Sequence, residues 1–114
     1  MRKCVFPISG SGGVGDTWEG HVEVNLSEKD YARLEASVKK GFDDMMDDPE
    51  INDIYERVFR KVVDITIENE EDMIDEYRED FGMRKNASPR KVIEEFLGEQ
   101  CCTIHYPADV AQSR

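Results

Sequence analysis

The feature that most constrains the fold is a stripe of apolar residues that begins at residue 51. Its members recur every three or four residues, as one face of a helix does: Ile51, Ile54, Tyr55, Val58, Phe59 and Val62. Asp48 and Pro49 stand just before the stripe, where a helix start favours a capping side chain and a first-turn proline. We therefore predict a helix that begins at Asp48 and Pro49 and buries this face in a core.

Two β-type runs come earlier in the chain, at residues 4–8 and 17–26. In the second run apolar and polar residues alternate, which is typical of a half-buried strand. Residues 9–16 between them hold four of the eight glycines, which predicts a mobile hairpin loop. Pro7 has no backbone N–H to donate, so we expect the first strand to lie at a sheet edge or to contain a bulge.

Further helix boundaries follow from capping residues. Ser27 predicts the start of a helix, and Ser88, followed by a proline, predicts another that ends at Gly98. Residues 101–106 are predicted to form a closing strand, and the tail after Asp109 is expected to fray.

The segment 62–80 is ambiguous, because its β-branched residues Val63, Ile65 and Ile67 could also alternate in a strand. We favour a helix, with a break or kink near Asn69. Its inward residues would continue the first stripe: Ile65, Asn69, Met73, Tyr77 and Asp80 or Phe81.

The predicted fold class is α+β. The N-terminal hairpin and the C-terminal strand form a small, mainly antiparallel three-stranded sheet, and three to four helices pack on one face. The chain 1–114 is predicted to be a single domain, divided into a hairpin (1–26), a helical segment (27–98), a closing strand (99–107) and a tail (108–114). The second face of such a sheet is left to water or to a partner.

Two short acidic runs hold the whole excess of negative charge. Residues 43–50 carry a formal charge of −5 and residues 68–80 carry −7, so the rest of the chain sums to +1 within a total of −11. So concentrated a field favours basic partners and repels nucleic acid and anionic membranes. The sequence therefore predicts a basic protein or nucleoprotein partner, no direct nucleic-acid binding and no membrane association.

A cytoplasmic location is expected. The three cysteines form no spaced disulfide framework, which suits a reducing compartment. No apolar run approaches the roughly 20 residues of a membrane span, and the N-terminus lacks the apolar run of a secretory signal.

Residues 10–15 match the letters of a dinucleotide-binding glycine motif. That motif needs a helix directly after it, so that the helix N-terminus meets the pyrophosphate, and here a strand is predicted instead. Read as a P-loop, residues 10–17 fit except that Asp16 stands in place of the lysine, and an anion there repels phosphate. We therefore predict no nucleotide cofactor.

Metal and nucleophile sites are also weakly supported. A calcium loop starting at Asp43 would have Met45, Asp48 and Ile54 where an oxygen ligand, a glycine and a glutamate are needed. The soft ligands lie on predicted strands without the close spacing of zinc sites: Cys4, His21, Cys101, Cys102 and His105. No metal, no cofactor and no catalytic residue is predicted unless these side chains converge.

Two hypotheses for function remain, and the sequence leans towards a protein that is not an enzyme. The first is an interaction module that docks on a basic partner, of which one form is a nucleic-acid mimic that inhibits a nucleic-acid-binding protein. Its predicted surface consists of exposed acids from both runs: Asp43, Asp44, Asp47, Glu71, Asp72, Asp75, Glu76 and Glu79. The alternative is a small ligand-binding or enzymatic domain that uses the open sheet face near His21 and His105, with Glu23 and Thr103. In its general pattern the chain resembles short acidic proteins of bacteria and phages, and no motif assigns it to a family.

Overall fold

The computed structural model describes residues 1–12 and 16–112. Strands β1 (Arg2–Gly12) and β2 (Asp16–Leu26) form an antiparallel hairpin in which Phe6 pairs with Val22 and Pro7 with His21. Both predicted strands are confirmed, but β1 continues through Gly12, so most of the predicted loop is strand. Residues 13–15, the rest of that loop, lie outside the described residues.

Other side chains lie against the backbone of β1 at its two glycines. A Cβ on Gly10 would come within 2.4 Å of the Trp18 ring, and one on Gly12 within 2.5 Å of the Gln100 amide. At Gly10 the atoms in the way belong to a rigid ring, so glycine is needed there for close packing. The Gln100 amide is the end of a flexible side chain, which can move away from a Cβ at residue 12. Both glycines are therefore strand residues and not loop residues, and Gly10 is required for close packing.

Strand β3 (Thr103–Ile104) pairs antiparallel with β1 through Ile8 and Ile104, which gives the sheet order β2-β1-β3. The predicted α+β class and three-stranded antiparallel sheet are confirmed, although β3 is shorter than the predicted 101–106. The first strand is central and not at an edge, which corrects the expectation drawn from Pro7. The Pro7 carbonyl accepts a hydrogen bond from the His105 N–H at 2.8 Å, so the backbone of Pro7 faces β3. The N–H that proline lacks would therefore point to the end of β3, where the strand pairing stops.

Helix α1 (Glu28–Lys39) begins at the predicted cap, since the Ser27 hydroxyl accepts a hydrogen bond from the Asp30 N–H at 3.1 Å. Asp48 also caps as predicted, accepting from the Glu50 N–H at 3.0 Å. The cap opens a 3₁₀ turn (Pro49–Ile51), and helix α2 (Asn52–Asn69) follows it. The stripe is buried at its centre: Ile51, Ile54, Val58 and Val62 are all 2% exposed or less.

Helix α2 ends at Asn69, the position predicted for a break. A 3₁₀ turn (Glu71–Met73) leads into helix α3 (Ile74–Asp80). The predicted continuation of the stripe is wrong within α2, because Ile65 is 36% exposed whereas Val63 is fully buried, but Tyr77 packs against the core as predicted. Helix α4 packs along α2, and Val63 lies in the same buried cluster as Val92 and Ile93 of α4.

Helix α4 (Pro89–Glu99) begins at Ser88 as predicted, with the Ser88 hydroxyl accepting from the Lys91 N–H at 3.3 Å. The predicted stop at Gly98 is wrong, because the helix continues through Gly98. The left-handed residue that ends it is Cys101, with φ of 51°.

We predict that Gly98→Ala stabilises the protein by up to about 1 kcal/mol, because alanine is the better helix former and costs less conformational entropy on folding. Nothing lies within 4 Å of the added methyl group. Gly82→Ala is the matched control: that glycine also has open space around it but has φ of +65°, so alanine there should destabilise by about 1 kcal/mol. Urea unfolding of the two variants measures both changes in stability. A loss of stability in Gly98→Ala would contradict the continuation of α4 through residue 98.

The chain from Ala108 to Gln112 is ordered, contrary to the prediction of a frayed tail, and residues 113–114 of that tail lie outside the described residues. Helix α5 (Ala108–Ala111) buries Val110 completely, and the Tyr31 hydroxyl donates to the Asp109 carboxylate at 2.8 Å. The Ser37 and Tyr106 hydroxyls are hydrogen-bonded in the interior at 2.6 Å. The tail thus completes the core on the side of α1.

One hydrophobic cluster includes side chains from all three strands and all five helices. Residues of β1 and β2 with even numbers, such as Phe6, Val22 and Leu26, face the helices, and the odd-numbered face is largely exposed. No helix within the described residues is both long and apolar enough to cross a bilayer.

Candidate interaction surfaces

The first acidic run is largely engaged in the protein's own turns. The Asp44 carboxylate accepts a hydrogen bond from the Met46 N–H at 3.3 Å. Asp48 is 3% exposed and caps the turn that enters α2, while Glu50 forms an ion pair with Lys40. Asp47 is exposed. Asp44 and Glu50 therefore have local partners that the sequence pattern did not reveal, in addition to the predicted cap at Asp48.

The second acidic run is different, because most of its carboxylates have no basic partner within the described residues. Glu71, Asp72, Glu76 and Glu79 are exposed and form no ion pair there. The single base of this run, Arg78, pairs with Asp75 and donates from Nε to the Ala87 carbonyl at 2.9 Å. The negative field at this end of the molecule is therefore largely uncompensated.

The two runs do not form one patch. The first precedes α2 and the second begins at its C-terminal turn, and the 18 residues of α2 span about 27 Å. The structure thus divides the eight predicted surface residues into two groups. Asp43, Asp44 and Asp47 lie at one end of α2, and Glu71, Asp72, Asp75, Glu76 and Glu79 lie beyond the other.

The open sheet face brings together some of the residues of the alternative hypothesis. The Ser9 hydroxyl and His105 Nε2 are hydrogen-bonded at 2.8 Å, a contact that only the register of β3 could reveal. His21 and His105 flank Pro7 from opposite sides, so their backbones lie about 10 Å apart, twice the spacing of neighbouring strands. Within the described part of the chain no carboxylate is hydrogen-bonded to the His105 ring, so the arrangement is a serine–histidine pair without an orienting acid.

The cysteines do not complete that site. Cys4 is buried on the helix side of the sheet, opposite to the histidines. Burial raises the pKa of the Cys4 thiol and of the Cys102 thiol, which disfavours the nucleophilic thiolate. Across residues 1–12 and 16–112, no three side chains of His, Cys, Asp or Glu are grouped so that they could hold a metal ion.

A cavity of about 310 Å³ lies between β2 and the helices α2 and α4. Sequence reasoning missed it; the only signal was Gly20, a residue without a side chain at an inward position of an alternating strand. Its walls are mostly apolar with a polar end: Ile8, Trp18, Gly20, His21, Val22, Val62, Ile65, Thr66, Asn69, Glu70, Phe96, Leu97 and Gln100. Trp18 Nε1 donates to Gln100 at 3.1 Å, and Glu70 accepts from the Tyr77 hydroxyl at 3.2 Å.

Comparison of the chain with protein-family models, with curated proteins and with solved structures finds no match.

Proposed function

We propose that this protein is a cytoplasmic, non-enzymatic interaction module whose second acidic run docks on a basic protein surface. The observation that carries the proposal is the set of exposed carboxylates at Glu71, Asp72, Glu76 and Glu79, which have no basic partner among the described residues. Like charges at this density repel one another, so they do little for the stability of the folded chain. A basic partner would relieve that repulsion.

The way these acids are mounted supports recognition by shape as well as charge. Helix α3 packs against α4, and Tyr77 stacks on Phe96 with ring centroids 4.6 Å apart. Arg78 ties the helix to the loop before α4 through the Ala87 carbonyl. The carboxylates are therefore presented from an anchored element, which lowers the entropy cost of docking.

The most specific form of the proposal is a nucleic-acid mimic. A groove of lysines and arginines that binds phosphates by releasing their counterions can instead be filled by carboxylates at fixed spacing. The partner would then be a nucleic-acid-binding protein, and the acidic surface would inhibit it by occupying its groove.

Capture experiments with matched charge variants test the proposal. We expect immobilised wild-type protein to retain a basic protein from lysate at low salt and to release it at high salt, because exposed charges are screened. Changing Glu71, Glu76 and Glu79 to glutamine should reduce capture at least tenfold. The control variant changes Glu94, Glu95 and Glu99, at exposed positions of α4, to glutamine and so removes the same charge. This control should capture the partner at nearly the wild-type level. Equal losses in both variants would show that only net charge matters and would refute a specific docking surface.

A ligand-binding or enzymatic site on the open sheet face is the second candidate, supported by the hydrogen bond between Ser9 and His105. Adding His105→Gln to the capture series separates the two candidates. The acidic-surface proposal expects no change, whereas loss of capture in His105→Gln alone would favour the sheet face.

A further inference from the structure

Strand β2 is an edge strand with free backbone groups. In the sheet order β2-β1-β3, one side of β2 pairs with β1 and no described segment pairs with the other. Because the Pro7 carbonyl is directed to β3, its partner His21 directs its own N–H and C=O away from β1. By alternation, Glu19 and Glu23 do the same. An extended segment could therefore add a strand to this edge.

The cavity opens beside this edge. Gly20 lies at the edge, on the face of the sheet that is turned towards the helices. The facing wall consists of Ile65 and Asn69 of α2 and of Glu70, the residue directly after that helix. His21, the next residue along the edge, also lines the cavity. An edge strand next to a helix-lined pocket is the arrangement that strand-addition domains use: the main chain gives affinity and the pocket selects side chains.

We propose that β2 binds an extended basic peptide segment as an additional strand, with one long basic side chain entering the cavity above Gly20. The aliphatic stem would pack on apolar walls such as Ile65, and the charged end would meet the Glu70 carboxylate. The alternate side chains of the peptide would lie beside the exposed Glu19 and Glu23. This inference rests on the proposed function for the basic character of the partner, but it uses a separate surface.

Charge favours such a peptide over a second copy of this chain. Pairing β2 with the same strand of another molecule would bring two further glutamates alongside Glu19 and Glu23, and like charges on neighbouring strands destabilise the pairing. A basic strand reverses the sign of these contacts.

Fluorescence anisotropy with the labelled peptide Lys-Thr-Lys-Arg-Lys-Thr-Lys tests the inference. Its lysines share one face of a strand, and its arginine is central on the other face. We expect binding to the wild type and at least a tenfold loss for His21→Pro. Proline there removes an outward N–H and no bond to β1, so the hairpin should survive. His21→Ala keeps the N–H and lacks the imidazole, as the proline variant does, so His21→Pro should also bind at least tenfold more weakly than His21→Ala.

Two further comparisons address the cavity and guard against a misfolded variant. Gly20→Leu should reduce binding tenfold, because the leucine side chain would fill the cavity. The fold should accept this change, since a Cβ at Gly20 meets only Ile8, at 3.5 Å. With unaltered protein, the peptide N-methylated at the alternate amides that would face β2 should also bind at least tenfold more weakly. Equal binding by the wild type, His21→Pro and Gly20→Leu, or no binding at all, would overturn the inference. So would dimerisation that His21→Pro abolishes, because a second copy would then occupy the edge.

The glutamine variant of Glu71, Glu76 and Glu79 separates this inference from the proposed function. If strand addition is correct, that variant binds the peptide within about threefold of the wild type even where it has lost capture. Peptide binding that depends on these three glutamates and not on His21→Pro would overturn strand addition while leaving the acidic docking surface in place. A third outcome is that His21→Pro abolishes peptide binding while the three glutamines leave lysate capture unchanged. This outcome would support strand addition and refute the docking surface.

Discussion

Replacing Val58 by aspartate is expected to destabilise the protein by roughly 3 to 5 kcal/mol, because it places an unpaired charge in the core. Val58 is fully buried in α2, between Ile54 and Val62 of the same stripe. A domain of this size is stable by only about 5–15 kcal/mol, so a large part of the population should unfold in mild denaturant. Urea unfolding followed by circular dichroism measures the loss.

Ile65→Asp is the matched control on the same helix. Ile65 is 36% exposed and borders the cavity, so aspartate there can stay hydrated and should cost no more than about 1 kcal/mol. If both variants unfold alike, the buried face of α2 has been assigned to the wrong side.

Replacing Val110 by aspartate is expected to cost about 2–3 kcal/mol. Val110 is fully buried where α5 packs on α1, and we expect this short terminal helix to detach before the sheet unfolds, which limits the loss. Ala111→Asp, at an exposed position of the same helix, should change stability by less than about 0.5 kcal/mol. Equal unfolding midpoints for the two variants would contradict the docked tail.

Helix starts could be predicted from the sequence because their determinants are local. Ser27, Asp48 and Ser88 each accept a hydrogen bond from a backbone N–H two or three residues later. Such contacts depend on residue type and spacing alone. The stripe of α2 could be predicted for a similar reason, since its period reflects the geometry of one helix.

Other features depend on partners distant in the chain. From the sequence, Gly10 and Gly12 are predicted to be loop residues. The structure shows that Trp18 lies against Gly10 and Gln100 against Gly12. The burial of Val63 and the exposure of Ile65 depend on which elements pack on α2. The hydrophobic period of α2 alone does not show where those elements lie. The tail becomes ordered through contacts such as that between Tyr31 and Asp109, 78 residues apart.

The candidate surfaces divide in the same way. Both acidic runs are visible as composition, and so is their effect on the choice of partner. Which carboxylates are already engaged is not visible, because the cap at Asp44 and the pair between Glu50 and Lys40 require the folded turns. The edge at β2 and the cavity above Gly20 follow from the strand order, which the spacing of hydrophobic residues does not determine.

Zero-length carbodiimide cross-linking of the captured complex tests the central claim most directly, because it joins a carboxylate only to an amine in contact with it. The docking surface predicts cross-links from Glu71, Glu76 or Glu79 to lysines of the partner, formed at low salt and lost at high salt. Cross-links confined to Glu94, Glu95 and Glu99, or to the first acidic run, would contradict it.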